Sequence, residues 1–485
     1  MLLTEFRSVV ARRADALAVM VPDGERLTYG ELSLRVDRAL GWLRARGIGE
    51  GQVVATWLDN GIDYVALVLA LAGSGAMHVP ISRSAAPEHI AWLVEQTKPA
   101  LVVGAEPLPD VVVEQVTTAE LATGSELIGA RPFPAYEGAF RLLETSGSTG
   151  KPRLVTWRQD DLLHDRRQWI AYTATTAADV LFNRHTLDVA HGCDVHLFPA
   201  LLSGALLVLA DPSAAPDQLL RWLEETDATV CSALPRHYEL LTQAARGRSV
   251  DLSALRMPLC GGAYLSGQVV ADAAEVLGIH IRRIYGSTEF GIMLGNMDDV
   301  VQDTRGMTPV TGVEIRLAPL DEAWPSIGEV LARSTHTSVG YFGDLGATSA
   351  TFRDGWYHTG DVAELDGEYR ILGRVADLLG GSAGPVFSPG VEAALTAACP
   401  VTEAAVLAPL PGETESGALV VATPVAGVEG ERVRAAIRAV LEDLGVRAEI
   451  VLAATIPHTA VGKVDKPALR KGRTAPRRWR PGSLA

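Results

Sequence analysis

Short apolar runs alternate with segments of helical periodicity along the first part of the chain. The runs Gln52–Leu58, His78–Ile81 and Leu101–Gly104 predict buried strands. Between the first two, apolar residues at helical spacing predict a helix from about Gly61 to Gly73. A strand–helix–strand rhythm is typical of a parallel sheet, so the pattern predicts an α/β fold.

The alternation continues beyond residue 150, and the segments at both ends differ from it. Strands are predicted at Ala205–Leu209 and Ala228–Leu234, after a polar helix at Asp160–Ala174. Residues 1–50 are predicted as helices around a short turn. The last 110 or so residues alternate helices and a strand, predicted at Val391–Ala398, Glu403–Leu407 and Glu429–Leu444, which suits a small α+β domain.

Composition narrows the functional classes. The chain has 485 residues and a formal net charge of −15, which argues against non-specific nucleic-acid binding. The longest apolar candidate, Tyr64–Met77, is shorter than the roughly 18 residues of a bilayer-spanning helix. Met1–Glu5 lacks the basic start and apolar core of a signal peptide. The four cysteines are far apart, without metal-like spacing, so we expect reduced thiols, a cytoplasmic location and no membrane partner.

One loop has the chemistry of a polyphosphate site. It contains Thr145, Ser146, Gly147, Ser148, Thr149, Gly150 and Lys151. Glycines allow close backbone approach and successive N–H groups can bind an anion, while Lys151 and Arg153 add positive charge. A flexible Ser/Gly turn is the alternative interpretation. A Walker A loop is rejected, because Thr145 and Pro152 stand where that motif needs Gly and Ser or Thr.

The segment Thr145–Pro152 resembles the Thr-Ser-Gly-Ser-Thr-Gly-x-Pro signature of the ANL superfamily of adenylate-forming enzymes. This family includes acyl- and aryl-CoA synthetases, nonribosomal peptide synthetase adenylation domains and luciferases. Four more segments resemble its motifs in the family's order, namely Tyr285–Glu289, Gly355–Asp361, Gly373–Arg374 and Pro457–Lys466. Two residues depart from the first motif: Arg153 replaces the usual Lys, and Leu154 replaces the usual Gly.

The resemblance implies a set of nucleotide-binding and catalytic residues. Lys463 matches the family's mobile catalytic lysine, and Thr288 and Glu289 match its phosphate-contacting hydroxyl and its Mg²⁺ ligand. ATP is expected to contact the loop at 145–151, the turn Gly261, Gly262 and Ala263 behind the adenine, Tyr285 and Gly286 beside it, and Asp361 and Arg374 at the ribose. A carboxylate suits a ribose because its two oxygens each accept a hydrogen bond.

The resemblance also places the pocket for the carboxylic acid. It assigns Asp188, His191, Gly192, Gly286, Phe290 and Gly291 to the lining of this pocket. His191 falls, counting back from Gly204, where aryl and acyl ligases carry an aromatic or histidine gate. A free amino acid would instead favour an acidic partner, for which Asp188 or Asp194 could serve. His185, His191 and His196 also suggest a metal site, but their spacings of six and five residues do not place them on one helical face.

The resemblance finally implies the domains and the reaction. Residues 1–373 would form a large α/β core of several subdomains, and residues 374–485 a small mobile α+β domain carrying Lys463. ATP and an aryl, short acyl or amino acid would give an acyl-adenylate and pyrophosphate. The acyl group would then pass to a thiol of CoA or of a pantetheinyl carrier protein supplied in trans.

Departures from the family keep two alternatives open. Ala376 replaces the usual hinge residue, and Ala383 lies in a segment that departs from the family's Lys-x-x-Gly. An amine or another non-thiol acceptor therefore stays possible for the second half-reaction. Leu154 suggests, more weakly, a non-catalytic nucleotide-binding relative.

Overall fold

A computed structural model describes residues 1–108, 111–124, 138–145, 152–297, 306–379, 384–409, 417–458 and 464–474. Its first sheet has six strands. In spatial order they are Gln115–Thr117 (β6), Leu101–Gly104 (β5), Val53–Trp57 (β3), Met77–Pro80 (β4), Ala139–Glu144 (β7) and Leu154–Arg158 (β8). Neighbours are parallel except β7 and β8, which run antiparallel on either side of the predicted phosphate loop.

The second sheet has nine strands. In spatial order they are Thr308–Pro309 (β15), Gly291–Gly295 (β14), Arg282–Ser287 (β13), Met257–Cys260 (β12), Val230–Ala233 (β11), Val180–Asn183 (β9), Leu206–Leu209 (β10), Leu17–Met20 (β1) and Arg26–Thr28 (β2). The strands from β13 to β1 are parallel. Their carboxyl ends therefore meet at one edge, where open α/β sheets bind ligands.

Helices cover both sheets. They are Leu2–Arg13 (α1), Tyr29–Ala45 (α2), Ile62–Ser74 (α3), Pro87–Thr97 (α4), Thr118–Leu121 (α5), Gln159–Tyr172 (α6), Ala190–Gly192 (α7), Phe198–Ser203 (α8), Pro216–Glu225 (α9), Pro235–Ala245 (α10) and Gly267–Leu277 (α11). Helices α1, α2, α3, α6 and α8 share one core with strands of both sheets. Helices α9, α10 and α11 pack against the opposite face of the second sheet.

Local sequence signals explain where several elements begin and end. Helix α2 begins at a capping box, in which the Thr28 side chain accepts from the Glu31 N–H and the Glu31 carboxylate accepts from the Thr28 N–H. Helix α3 ends at Gly75, whose φ of 78° is left-handed. The strands and helices predicted from residue 52 onward are confirmed. The prediction for residues 1–50 is wrong in part, because strands β1 and β2 lie between α1 and α2 and are too short for a clear alternating pattern.

The third sheet is antiparallel. It contains Glu314–Pro319 (β16), Ile327–Arg333 (β17), Trp356–Asp366 (β19), Phe352–Arg353 (β18) and Glu368–Arg374 (β20), with helix Leu345–Thr351 (α12) before β18. Strand β20 pairs with β19 in a register that sets Arg374 opposite Asp361. Two of the predicted site residues are therefore neighbours because of strand pairing.

The last part of the chain has a separate core. The strands Val401–Leu407 (β21), Ala418–Pro424 (β22) and Ala448–Leu452 (β23) form a sheet with helices Ser388–Ala398 (α13) and Gly430–Asp443 (α14), followed by Lys466–Thr474 (α15). Val391, Val420 and Ile437 are completely buried in this core. The predicted fold class, a large α/β part and a small α+β part, is confirmed. Among the described residues no helix has the length and apolar character that crossing a bilayer requires.

Candidate active site

A carboxylate held by a phenol and a guanidinium joins the second and third sheets. The Tyr285 hydroxyl donates to Asp361 Oδ2 at 2.7 Å, and Arg374 Nε lies 3.1 Å from Asp361 Oδ1. Burial, and then the neighbouring Asp361 carboxylate, raises the pKa of Tyr285 well above its usual value, so its hydroxyl stays protonated and can donate. Because each carboxylate oxygen has a second lone pair, Asp361 can still accept two ribose hydroxyls.

Three glycines beside this carboxylate are required by close backbone packing. A Cβ on Gly261 would lie 2.7 Å from Ile284 Cγ1, and one on Gly286 would lie 2.4 Å from the Gly291 carbonyl oxygen. Gly262 has a φ of 83°, and Ala263 follows it. The turn after β12 is therefore pressed against β13, next to Tyr285.

A second acidic residue, Glu289, lies beside the two strands that flank the phosphate loop. The Tyr341 hydroxyl donates to Glu289 Oε1 at 2.9 Å, and the Arg153 guanidinium lies 5.1 Å from the Tyr341 ring centroid. Thr288 is held through its carbonyl oxygen, which accepts from Trp157 Nε1 at 2.8 Å. Carboxylate oxygens are ligands that Mg²⁺ accepts, so the residues present fit a magnesium ion at Glu289.

The ends of the phosphate loop are described, and its centre is not. The Thr145 N–H donates to the Arg153 carbonyl oxygen at 2.9 Å, which closes the pair β7–β8. The predicted ligands Ser146, Gly147, Ser148, Thr149, Gly150 and Lys151 lie outside the described residues. Sequence reasoning missed Tyr341, whose signal was an aromatic residue among the glycines of Val339–Asp344.

Three histidines surround one serine at the carboxyl end of β11. His185 Nε2 donates to the Ser232 carbonyl oxygen at 2.9 Å, and His196 Nε2 accepts from the Ser232 N–H at 3.0 Å. His191 Nε2 lies 2.6 Å from Ser232 Oγ, and the rings of His185 and His191 stack with centroids 4.0 Å apart. These contacts fix the position of the His191 ring, and its role as a gate stays a prediction. Sequence reasoning missed Ser232 as the shared partner of the three histidines.

The convergence of these histidines does not come from helical spacing. His196 belongs to the π-helix Cys193–Leu197, which follows α7, and this turn brings residues five apart in sequence to the same side. His185 lies before both helical segments, so the three share no helical face, and they converge because each contacts Ser232. Their nitrogen atoms are used in hydrogen bonds to Ser232 rather than being directed at a common point.

Burial keeps the histidines around this cluster uncharged. Desolvation lowers the pKa of His196 to about 4 and that of His185 well below its usual value. It also lowers the pKa of His237, on the neighbouring helix α10, to about 3, with help from Arg184. The rings of His185, His196 and His237 are consequently flat and uncharged at neutral pH.

We expect the free energy of unfolding to fall as the pH drops from about 6.5 to about 4, because unfolded histidines bind protons there and the buried ones do not. Above about 6.5 neither state is protonated, so these groups contribute no pH dependence. Urea unfolding of the wild type and of His196→Gln across this window measures the contribution. The variant should have a shallower decline, and His280→Gln, which replaces an exposed histidine, should match the wild type. Equal declines in all three proteins would contradict the assignment.

The remaining predicted pocket residues have distinct surroundings. Asp194 is bound by two buried arginines: Arg141 Nη1 donates to its Oδ1 at 3.2 Å, and Arg166 Nη1 to its carbonyl oxygen at 2.8 Å. Asp188 has a buried Oδ1 without a hydrogen-bond partner. Phe290 is buried and stacks on Tyr357 with centroids 5.7 Å apart.

Two pocket glycines are closely packed. A Cβ on Gly192 would lie 2.3 Å from the Thr186 carbonyl oxygen. Gly291 has a φ of 93°, and its missing Cβ would lie 2.8 Å from a carboxylate oxygen of Asp165. Both positions therefore exclude any larger residue without movement of the backbone or of a buried side chain.

The predicted catalytic lysine lies just outside the described residues. Lys463 belongs to the segment 459–463, and the residues that flank it, His458 and Val464, form an antiparallel bridge. Lys466 Nζ lies 3.2 Å from Asp377 Oδ1 and 3.2 Å from Glu392 Oε1. Lys466, in the described residues beyond this segment, is thereby paired with Asp377 and with Glu392 of α13.

Comparison with known proteins defines the class. The model of the AMP-binding enzyme family matches residues 6–342, and the chain belongs to this family, within the adenylate-forming superfamily. It is an AMP-forming acid–thiol ligase, which uses ATP to activate a carboxylic acid as an acyl-adenylate.

Individual relatives cover nearly the whole chain. Feruloyl-CoA synthase of an Amycolatopsis species is 29% identical over 476 residues, covering 92% of this chain and 94% of the relative. The 4-chlorobenzoate–CoA ligase of an Arthrobacter species is 28% identical over 453 residues, covering 85% and 84%. ATP-bound MatB from Rhodopseudomonas palustris superimposes with a TM-score of 0.87 at 23% identity, covering 97% of this chain and 99% of that one, which supports the fold.

Proposed function

We propose that the chain activates an aromatic carboxylic acid with ATP and transfers the acyl group to the thiol of CoA. The observation that carries the aromatic assignment is the imidazole cluster on Ser232, at the carboxyl end of β11, in which burial keeps His185 and His196 uncharged. Buried imidazole rings favour a substrate with an aromatic ring, because ring stacking adds to the free energy gained by burying apolar area. The relatives named for ferulate and 4-chlorobenzoate, both aromatic acids, agree with this choice.

The nucleoside would be held by Asp361, Tyr285 and Arg374. Asp361 would accept the ribose hydroxyls, since Tyr285 and Arg374 fix the orientation of its two oxygens. Gly261, Gly262 and Ala263 would leave room for the adenine behind Tyr285. In this proposal the α-phosphate would lie between the nucleoside and the phosphate-binding loop.

The phosphates would be bound by the loop at 145–151, the Thr288 hydroxyl and a magnesium ion on Glu289. When bound, the ion supplies positive charge that neutralises the phosphate oxygens. Arg153 and Tyr341 keep Glu289 beside the base of this loop. Attack of a carboxylate on a phosphate brings two negatively charged groups together. Positioning and charge stabilisation should therefore make the largest contributions to the rate enhancement.

Lys463 would complete the site by contacting the substrate carboxylate and a phosphate oxygen as the bond forms. The bridge between His458 and Val464 and the ion pairs of Lys466 give its segment two fixed ends. We place the boundary of a mobile second domain at residues 373/374, next to Asp377. Movement about this boundary would let Lys463 leave the site so that a thiol can approach.

CoA is the proposed acceptor, and a pantetheinyl carrier protein in trans would use the same chemistry. The replacements at Ala376 and Ala383 keep a non-thiol acceptor as the alternative, and Ala383 lies outside the described residues. The four cysteines Cys193, Cys231, Cys260 and Cys399 are buried and unpaired, in keeping with a cytoplasmic enzyme. A non-catalytic nucleotide binder, suggested by Leu154, is not retained as an alternative, because the chain belongs to the AMP-forming ligases.

An amino acid is the second candidate substrate, because Asp188 offers a partly buried carboxylate whose Oδ1 has no partner. An ammonium group would satisfy it. Asp194 does not serve this purpose, since its charge is already shared by Arg141 and Arg166.

ATP–pyrophosphate exchange without CoA, across aromatic, short aliphatic and amino acids, tests the proposal. We expect exchange with benzoate-type acids at a kcat/KM at least about tenfold above the other classes, the scale of one well-formed contact. The variant Asp188→Asn separates the two candidates, because loss of this carboxylate should weaken the use of amino acids much more than that of aromatic acids. Preferential exchange with amino acids, abolished by Asp188→Asn, would replace the proposal with the second candidate.

A further inference from the structure

One buried guanidinium near the acid pocket has no acidic partner among the described residues. Arg184 is 8% exposed and follows strand β9 directly. Its Nη1 contacts His237 Nδ1, and its Nη2 reaches only the Pro212 carbonyl oxygen, at 3.5 Å. Its Nε has no hydrogen-bond partner. Both contacts are to neutral groups, because His237 is uncharged at neutral pH.

The other two large buried arginines near this pocket are arranged differently. Arg141 and Arg166 share the carboxylate of Asp194, at 3.2 Å and 3.8 Å. Burying a guanidinium without an opposite charge is costly, so proteins normally pair it as these two are paired. The surroundings of Arg184 are therefore those of a guanidinium whose charge is neutralised by an anionic group of a bound ligand.

The position of Arg184 agrees with a ligand site. It lies at the carboxyl edge of the second sheet, and its partner His237 is in the first turn of α10. The N-terminus of an α-helix attracts negative charge, and α10 is 11 residues long. The helix dipole and the guanidinium thus favour an anion at the same point.

This point is continuous with the acid and nucleotide sites. The rings of His237 and His185 are 6.0 Å apart, and His185 stacks on the gate residue His191. Leu234, which precedes α10, has its Cδ2 3.1 Å from the position of a Cβ on Gly262. An acid that lies along the imidazole cluster, with its ring beside His191 and His185, would have its far end near His237 and Arg184.

We propose that Arg184 binds a second carboxylate of the acid substrate, at the end remote from the carboxylate that is activated. This inference rests on the proposed function and narrows its substrate class to aromatic dicarboxylic acids. The planar guanidinium can bind such a group through two hydrogen bonds, with its Nε among the available donors. The phosphate of CoA is the other source of the same chemistry.

ATP–pyrophosphate exchange with matched acids tests this inference. Terephthalate and isophthalate carry the second charge, while benzoate and monomethyl terephthalate lack it. We expect kcat/KM for the preferred dicarboxylate to exceed that for the monomethyl ester, whose second group is uncharged, by about 10- to 100-fold. This is the range for a hydrogen bond to a charged group. Arg184→Met, which keeps the apolar stem, should remove this preference, and Arg184→Lys should keep part of it.

Each outcome decides the matter. Equal use of the ester and the diacid by the wild-type enzyme overturns the inference, whatever the variants do. An equal loss of kcat/KM for the diacid and for the ester in Arg184→Met also overturns the inference. A KM of Arg184→Met that is raised for CoA but not for dephospho-CoA overturns it too, because it would assign Arg184 to the CoA phosphate. Exchange with benzoate alone overturns the inference and leaves the proposed function standing, whereas no exchange with any acid overturns both.

Discussion

Replacing Lys463 with alanine is expected to slow acyl-adenylate formation by about 10²- to 10³-fold, the effect of removing one preorganised donor from a developing charge. The lysine is assigned to the oxygens of the carboxylate and the phosphate, whose mutual repulsion is the main barrier. ATP–pyrophosphate exchange measures this step without the thiol. Binding of ATP should change much less, because the nucleoside contacts belong to Asp361, Tyr285 and Arg374.

Two variants separate this role from a general loss of positive charge. Lys98→Asn removes an exposed lysine at the end of α4, where Asn tolerates the φ of 44°, and should exchange at the wild-type rate. Lys466→Met breaks the ion pairs with Asp377 and Glu392 and should have an intermediate effect, since it loosens the segment without removing the reacting group. Exchange by Lys463→Ala at near the wild-type rate would refute the assignment.

Asp194→Asn is expected to lower the free energy of unfolding by about 3–5 kcal/mol, because it leaves buried charge without its partner. The Arg141 side chain is 0% exposed and that of Arg166 is 1% exposed, and both face the Asp194 carboxylate. The desolvation penalty of the Arg141 guanidinium would then be uncompensated, whereas Arg166 keeps its ion pair with Asp165. The π-helix that presents His196 to Ser232 should loosen at the same time.

The matched control is Asp217→Asn. Asp217 also pairs with an arginine, Arg248, at 3.0 Å, but both side chains are about half exposed, at 55% and 51%. Water screens such a pair, so the loss should be below about 1 kcal/mol. Urea unfolding followed by tryptophan fluorescence compares the two variants. A loss in Asp194→Asn no greater than that in Asp217→Asn would show that the buried cluster is not needed for stability.

Contacts made by neighbouring strands could be predicted from sequence motifs. Asp361 and Arg374 were both assigned to the ribose, and the pairing of β19 with β20 sets them opposite each other. Their separation in sequence is short, and a hairpin is the simplest way to connect them. Tyr285 was assigned to the adenine through its ring, whereas its hydroxyl has a second role in orienting Asp361.

Contacts across long separations could not be predicted in the same way. Arg141 and Asp194 are 53 residues apart, the first in strand β7 and the second in the π-helix Cys193–Leu197. The only sequence signal was a charged residue inside the apolar strand Ala139–Glu144. The histidine cluster was missed for another reason, since helical spacing does not describe a π-helix and Ser232 comes from a distant strand.

The most direct test of the central claim is a product analysis with ATP, the aromatic acid identified by exchange, and CoA. We expect one AMP and one acyl-CoA for each acid consumed, with pyrophosphate released and formation of both products lost together in Lys463→Ala. AMP without a thioester would contradict the thiol acceptor and favour another nucleophile. Release of ADP and phosphate instead of AMP and pyrophosphate would contradict the central claim, because the proposed reaction is attack of the carboxylate on the α-phosphate.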